Sequence, residues 1–176
     1  MARFISHLVI HHSATPTGSV EEFRVIHKGR GFSDIGYHAL IGNSKGTPDG
    51  HISQGRPEKY DGAGVYKNNR GKLHVCLVGN FEYGHSGYTG GPTKKQWSAL
   101  GHWLLVKGRD YQQKDGVFPI VVGHKEITVP GHGTACPGNT FPLDLVRRWY
   151  GENINKFVHQ KPVETLDVYI EHHRKG

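Results

Sequence analysis

Apolar positions recur along this chain with two periods, and each change of period marks an element. Residues 4–11, FISHLVIH, form a short apolar run that predicts a buried strand. Ser19 and Glu22 make the S-x-x-E signature of a helix start. Phe23, Ile26 and His27 follow at helical spacing, and Gly29 to Gly31 close the helix. YHALIG (37–42) and His51 to Gln54 flank a turn rich in Gly, Pro and Asp, which predicts a hairpin. The polar, glycine-rich residues 55–72 read as surface loop. LHVCLVG (73–79) is apolar on both faces and predicts the central strand. Thr93 and Gln96 open a second helix, striped by Trp97, Leu100 and Leu104. Phe118 to Val122 predicts another buried strand. Phe141 to Tyr150 predicts a further helix, capped by Asn139 or Thr140, with Pro142 in its first turn and Leu145, Val146 and Trp149 on one face. Beyond Gly151 the pattern weakens. Pro162 breaks any continuous helix, and Leu166, Val168 and Ile170 alternate with polar residues, which suits a short edge strand or a second helix.

Strands alternating with helices over 176 residues predict one α/β domain, with residues 1–150 as its body and 151–176 as a C-terminal extension. The formal charge of +7 suits an anionic partner such as nucleic acid, an anionic membrane or a cell-wall polymer. No nucleic-acid-binding motif supports the first of these. No apolar run reaches the roughly eighteen residues of a transmembrane helix. MARFISHLVIHH lacks the features of a signal peptide, so the expected location is the cytoplasm. In that compartment a Cys76–Cys136 disulfide is the weaker reading, and Cys76 is expected as a small core residue.

The chemistry concentrates in GHKEITVPGHGTACPG, residues 123–138. His124 and Cys136, brought together by a tight Gly- and Pro-rich loop, make half of a zinc site, because Zn²⁺ takes imidazole nitrogen and thiolate in tetrahedral geometry. A catalytic site needs a third ligand and keeps a fourth position open. The best third candidate lies in LVIHHSAT, at the end of the first strand. Alternation lets only one of His11 and His12 face a shared site.

The segments VIHHSAT (9–15), DIGYH (34–38), VCLVGNF (75–81) and GHKEITVPGHGTACPG (123–138), in this order, resemble the zinc N-acetylmuramoyl-L-alanine amidases. That family includes short phage lysozymes and the animal peptidoglycan recognition proteins, and the resemblance covers roughly residues 5–150. It implies a mixed central β-sheet flanked by helices, one Zn²⁺, and hydrolysis of the bond between N-acetylmuramic acid and L-alanine in peptidoglycan. Residue by residue, it makes His11, His124 and Cys136 the metal ligands and Tyr37 the catalytic tyrosine. Thr134 stands where phage enzymes often carry lysine and recognition proteins threonine. Cys76 occupies a strand position where wall-recycling amidases tend to carry glutamate. Where many relatives have a groove histidine in a GAHT-like loop, this chain reads GAG at Gly62 to Gly64.

On this resemblance Tyr37, and secondarily Thr134, supply hydroxyls to the developing oxyanion. Tyr37, His38 or His132 protonates the leaving amine. Glu126 caps or orients the His124 loop. Trp97, Trp103 and Trp149 sit at helical positions that suit a core better than a sugar platform, whereas Tyr60, Tyr66, Tyr83 and Tyr88 lie in polar loops open to groove contacts. The expected protein is a monomeric phage endolysin, held in the host bacterial cytoplasm until it reaches the wall. A non-lytic recognition module and a cytoplasmic muropeptide-recycling amidase are the alternatives.

Overall fold

The computed structural model describes residues 3–174. Its elements are β1 (His7–His12), α1 (Val20–Gly29), β2 (Ala39–Ile41), β3 (Ile52–Gln54), β4 (Lys72–Leu77), α2 (Lys94–Asp115), β5 (Ile120–Gly123), a 3-10 turn (His124–Glu126), α3 (Leu143–Val158) and α4 (Leu166–His173). The strands form one mixed sheet in the order β3-β2-β4-β1-β5. β1 runs parallel to both β4 and β5, β2 runs parallel to β4, and the β2–β3 hairpin is antiparallel.

Alternation sorts the strand side chains onto two faces. Leu8 and Ile10 of β1 and Leu73, Val75 and Leu77 of β4 join Trp97, Leu100, Leu104, Val146 and Trp149 in the main core beneath α2, α3 and α4. On the opposite face Cys76 packs with Val20, Phe23, Ile35 and Leu40, and Val9 packs with Val65 and Val122. The three tryptophans are buried in the core.

Gln96 fixes α2 to the sheet. Its backbone N–H donates to Thr93 Oγ1 at 3.0 Å and its Oε1 accepts from Thr93 N at 3.1 Å. Its Nε2 then donates to Ile41 O (3.1 Å) and Val78 O (2.9 Å), carbonyls at the ends of β2 and β4. Where α2 meets the C-terminal helices, Gly101 leaves room for Trp149 and Leu166; a Cβ there would lie 2.8 Å from Leu166 Cβ.

Two expectations, the cap of the last predicted helix and the surface loop at 55–72, are corrected, and the choice left open for the tail is resolved. α3 starts at Leu143, without a side-chain cap, and continues to Val158. Asn139 and Thr140 are used elsewhere: Asn139 Oδ1 accepts from Tyr83 N at 2.8 Å and Thr140 Oγ1 donates to Phe81 O at 2.7 Å, which pins the 80–92 loop. Of the edge strand and the second helix left open for the tail, residues 166–173 form the helix. The alternation read from Leu166, Val168 and Ile170 counted Tyr169 as polar, yet Leu166, Tyr169 and Ile170 are the buried positions and fall at helical spacing. The boundary expected at residue 150 falls inside α3, and α4 shares the main core; residues 1–2 and 175–176 lie outside the described residues. Finally, residues 55–72 are not a bare surface loop. Arg56 is buried and its guanidinium donates to the carbonyls of Ile35, Asp61 and Asp34. Among the described residues no helix is long and apolar enough to cross a membrane.

Substituting Gln96→Ala leaves the buried Val78 carbonyl without its donor, takes one of two donors from the Ile41 carbonyl (the Val78 N–H remains), and removes half of the helix cap. We expect a loss of about 2–4 kcal/mol in unfolding free energy, read by urea denaturation, with the denaturant slope unchanged.

Candidate metal centre

Parallel pairing brings the two strand-end histidines together. Ile10 of β1 lies opposite Gly123 of β5. His11, the next residue of β1, and His124, the first residue of the turn after β5, lie side by side with ring centroids 4.8 Å apart. The turn that carries His124 is held from below: Glu126 Oε2 accepts from Gly123 N at 2.9 Å while its Oε1 pairs with Arg147 at 2.8 Å. Burial pushes the Glu126 carboxyl up, but the bonds from Arg147 and Gly123 bring it below its ordinary value. Glu126 therefore orients the His124 turn.

Cys136 returns to the same place. Lys125 N donates to Cys136 O at 2.9 Å, which ties the returning loop to the His124 turn. His12 N points at Cys136 Sγ from 3.4 Å. One ligand atom each from His11, His124 and Cys136 lies within 4.8 Å of the others, the only such group among the described residues. His11 Nδ1 is 3.7 Å from Cys136 Sγ.

Burial holds both His11 and His124 below the ordinary imidazole range, so both rings are neutral, the form that binds metal. Burial also pushes the Cys136 thiol up to about 12, against the His12 N–H. A thiolate here calls for a cation. Two neutral imidazoles and a thiol suit zinc, and donors on a tetrahedral zinc lie about 3.3–3.7 Å apart for bonds of about 2.0–2.3 Å. The observed His11 to Cys136 separation fits that range.

The other expected residues divide. His12 points to the opposite face, where its Nδ1 accepts from Phe81 N at 3.1 Å. Tyr37 stands beside the centre, 5.1 Å from His11 between ring centroids. Burial, then the Cys76 and Cys136 sulfurs, raise its hydroxyl well above the ordinary range, and that hydroxyl is bonded to Cys76. Cys76 and Cys136 are both free thiols. Thr134 is exposed, and its Oγ1 accepts from Cys136 N at 3.2 Å. It lines a cavity of about 400 Å³ together with His124, Val65, Tyr66 and His132. His132 is exposed there and stacks on Tyr66 with centroids 3.8 Å apart. His38 is committed elsewhere: its Nε2 bonds Tyr60 O at 3.1 Å and its Nδ1 accepts from His74 N at 2.9 Å.

His74 is the neighbour that sequence reasoning missed. It is fully buried, and its Nδ1 lies 3.0 Å from His11 Nε2. The available signal was its parity: His74 stands two residues before Cys76 on the central strand and opposite Val9, two before His11.

A family profile described as N-acetylmuramoyl-L-alanine amidase matches residues 1–139. An endolysin of Klebsiella phage KP32 is 35% identical over 155 residues, 84% of this chain and 87% of that protein. Peptidoglycan-recognition protein SD of Drosophila simulans is 30% identical over 118 residues, 67% of this chain; the match spans about half of that relative, 54% of its length. Among solved structures, the N-acetylmuramoyl-L-alanine amidase LysC from Clostridium intestinale URNW superposes with a TM-score of 0.62 at 27% identity, covering 83% of this chain and 85% of that one.

The buried histidines away from the three donors make folding sensitive to acid. Burial lowers His38 from 6.5 to about 4, against the Tyr60 carbonyl, and lowers His27, whose Nδ1 accepts from Gly36 N at 3.0 Å. A native pKa below the unfolded one stabilises fully above pH 6.5 and progressively less as pH falls towards 4. We expect the metal-free protein to lose about 3 kcal/mol between pH 6.5 and 4 from His38 alone, read by urea unfolding across that range, and His38→Gln to flatten the slope.

Proposed function

The chain belongs to the N-acetylmuramoyl-L-alanine amidase family, and from that premise we propose that it is a zinc-dependent hydrolase of the amide bond between N-acetylmuramic acid and L-alanine in peptidoglycan, serving as a phage endolysin. The observation that carries this reading is the convergence of two neutral imidazoles and a thiol from three separate parts of the chain beside an open cavity. In this reading His11, His124 and Cys136 hold the ion. A zinc ion there supplies Lewis acidity, polarising the amide carbonyl and lowering the pKa of water.

The chain's own groups do the rest. Tyr37 stays a neutral O–H at physiological pH and can donate to the carbonyl oxygen as it gains negative charge, exchanging its Cys76 contact for the substrate. The Thr134 oxygen is fixed by Cys136 N–H, and its own O–H is a second donor at the cavity rim. It is neutral where lysine would be charged, so it contributes less to an anion. His132 is the imidazole within the groove that can pass a proton to the leaving amine. The net charge of +7 favours approach to an anionic wall, an attraction that salt screens. The endolysin relatives support a lytic role, in which the protein accumulates in the host cytoplasm and acts once it reaches the wall.

The test is turbidity loss of purified sacculi together with end-group analysis. Native protein should clear the suspension and release new amino termini at L-alanine. Chelator should abolish both, added zinc should restore them, and Cys136→Ala should show neither. Binding to sacculi without clearing would instead support recognition without cleavage, a reading favoured by the 30% identity to a peptidoglycan-recognition protein. Release of amino termini from soluble muropeptides but not from sacculi would mark a recycling amidase.

Tyr37→Phe keeps the ring against its neighbours and removes only the donor. We expect kcat to fall by roughly 10²–10³ with zinc content unchanged.

A further inference from the structure

Two neutral tautomers are open to His11, and only one leaves Nδ1 free to face Cys136. We propose that His74 sets that tautomer: its Nδ1 accepts the Nε2–H of His11, so that His11 presents an unprotonated Nδ1 to the metal, making His74 a positioning residue of the centre. The proposal rests on the zinc reading above. Its geometry is direct. His11 Nε2 lies 3.0 Å from His74 Nδ1, while His11 Nδ1 lies 3.7 Å from Cys136 Sγ, so the ring spans from one partner to the other.

The surroundings of His74 show a ring held in place at some cost to stability. Its Nε2 is buried without a hydrogen-bond partner. An imidazole whose Nδ1 accepts must carry its proton on Nε2, and burying that donor unpaired is unfavourable. An aliphatic side chain would fill the same space without the penalty. The backbone around the ring leaves it little freedom. A Cβ at Gly62 would lie 2.4 Å from His74 Cδ2, and one at Gly64 would lie 2.7 Å from His74 Nδ1 and 3.0 Å from His11 Nε2. The GAG stretch is thus the cover that a histidine pair requires. On the other side His38 stacks on His74 at 5.6 Å between centroids, with ring planes 16° apart, and binds its backbone N–H. Partners of this kind raise ligand basicity and fix ring orientation, and their loss typically weakens metal binding.

The experiment measures zinc affinity of the whole chain by competition with a chromophoric chelator, for native protein, His74→Ala and His74→Asn. Asparagine keeps an acceptor oxygen near the position of Nδ1. We expect one zinc per native chain, an affinity lowered roughly 10–100-fold by His74→Ala, and recovery of most of that loss in His74→Asn. In the metal-free native protein, ¹⁵N NMR should show His11 protonated on Nε2 and bare on Nδ1, a readout that needs no variant to fold. Equal affinity in all three proteins, or a proton on His11 Nδ1, overturns the role of His74. Absence of zinc binding by native protein overturns the zinc reading itself, which keeps the two failures distinct.

Discussion

The parallel pairing of β1 with its two neighbours is the constraint on which the site depends. β1 lies between β4 and β5, so every residue along it has a fixed partner on each side. Because strand side chains alternate, one register decides both faces at once. Ile10 enters the main core, and His11, also buried, lies on the opposite face beside His124 and His74. A slip of one residue would put His12 at the centre and drive His11 into the packing around Phe81. The core therefore enforces the geometry of the donors: Leu8 and Ile10 fix β1 by their burial, and His11 follows.

The third donor comes by a different route. Cys136 sits in a loop with no strand to register it, and backbone hydrogen bonds locate it instead. Its carbonyl accepts from Lys125, its N–H binds Thr134, and its sulfur faces His12 N–H. A rigid strand end supplies the imidazoles and a hydrogen-bonded loop brings up the thiol. That division lets the loop residues from 128 to 134 line the cavity without disturbing the His11–His124 pair.

Much of this was legible in the sequence. Capping at Ser19 and Thr93 carried local information strong enough to survive folding, and the period of LHVCLVG announced a central strand. His124 and Cys136 stood out because Gly- and Pro-rich sequence around His and Cys has few structural uses, whereas alternation left His11 and His12 open and the family resemblance chose His11. What escaped notice was decided by partners remote in sequence. His74 looked like an ordinary member of an apolar run, because nothing local shows that position 11 stands beside it. Arg56 looked like loop surface because its three carbonyl partners are brought to it only by the fold. Tyr169 was misassigned because its ring is apolar and its hydroxyl polar, so burial of the ring overrides the pattern read from the hydroxyl.

The two faces of the sheet also divide stability from chemistry. Most of the large apolar residues, including all three tryptophans and the buried apolar residues of α3 and α4, lie on the face away from the metal centre. The other face holds two smaller apolar clusters and a row of four histidines, His124, His11, His74 and His38, each ring within 6 Å of the next. Desolvated imidazoles add little apolar burial and need partners for their nitrogens. Such a row persists only if the opposite face supplies the cohesion. Residues 151–174 then have a physical role without touching the site: they complete the core that allows the sheet to hold polar groups on its far side.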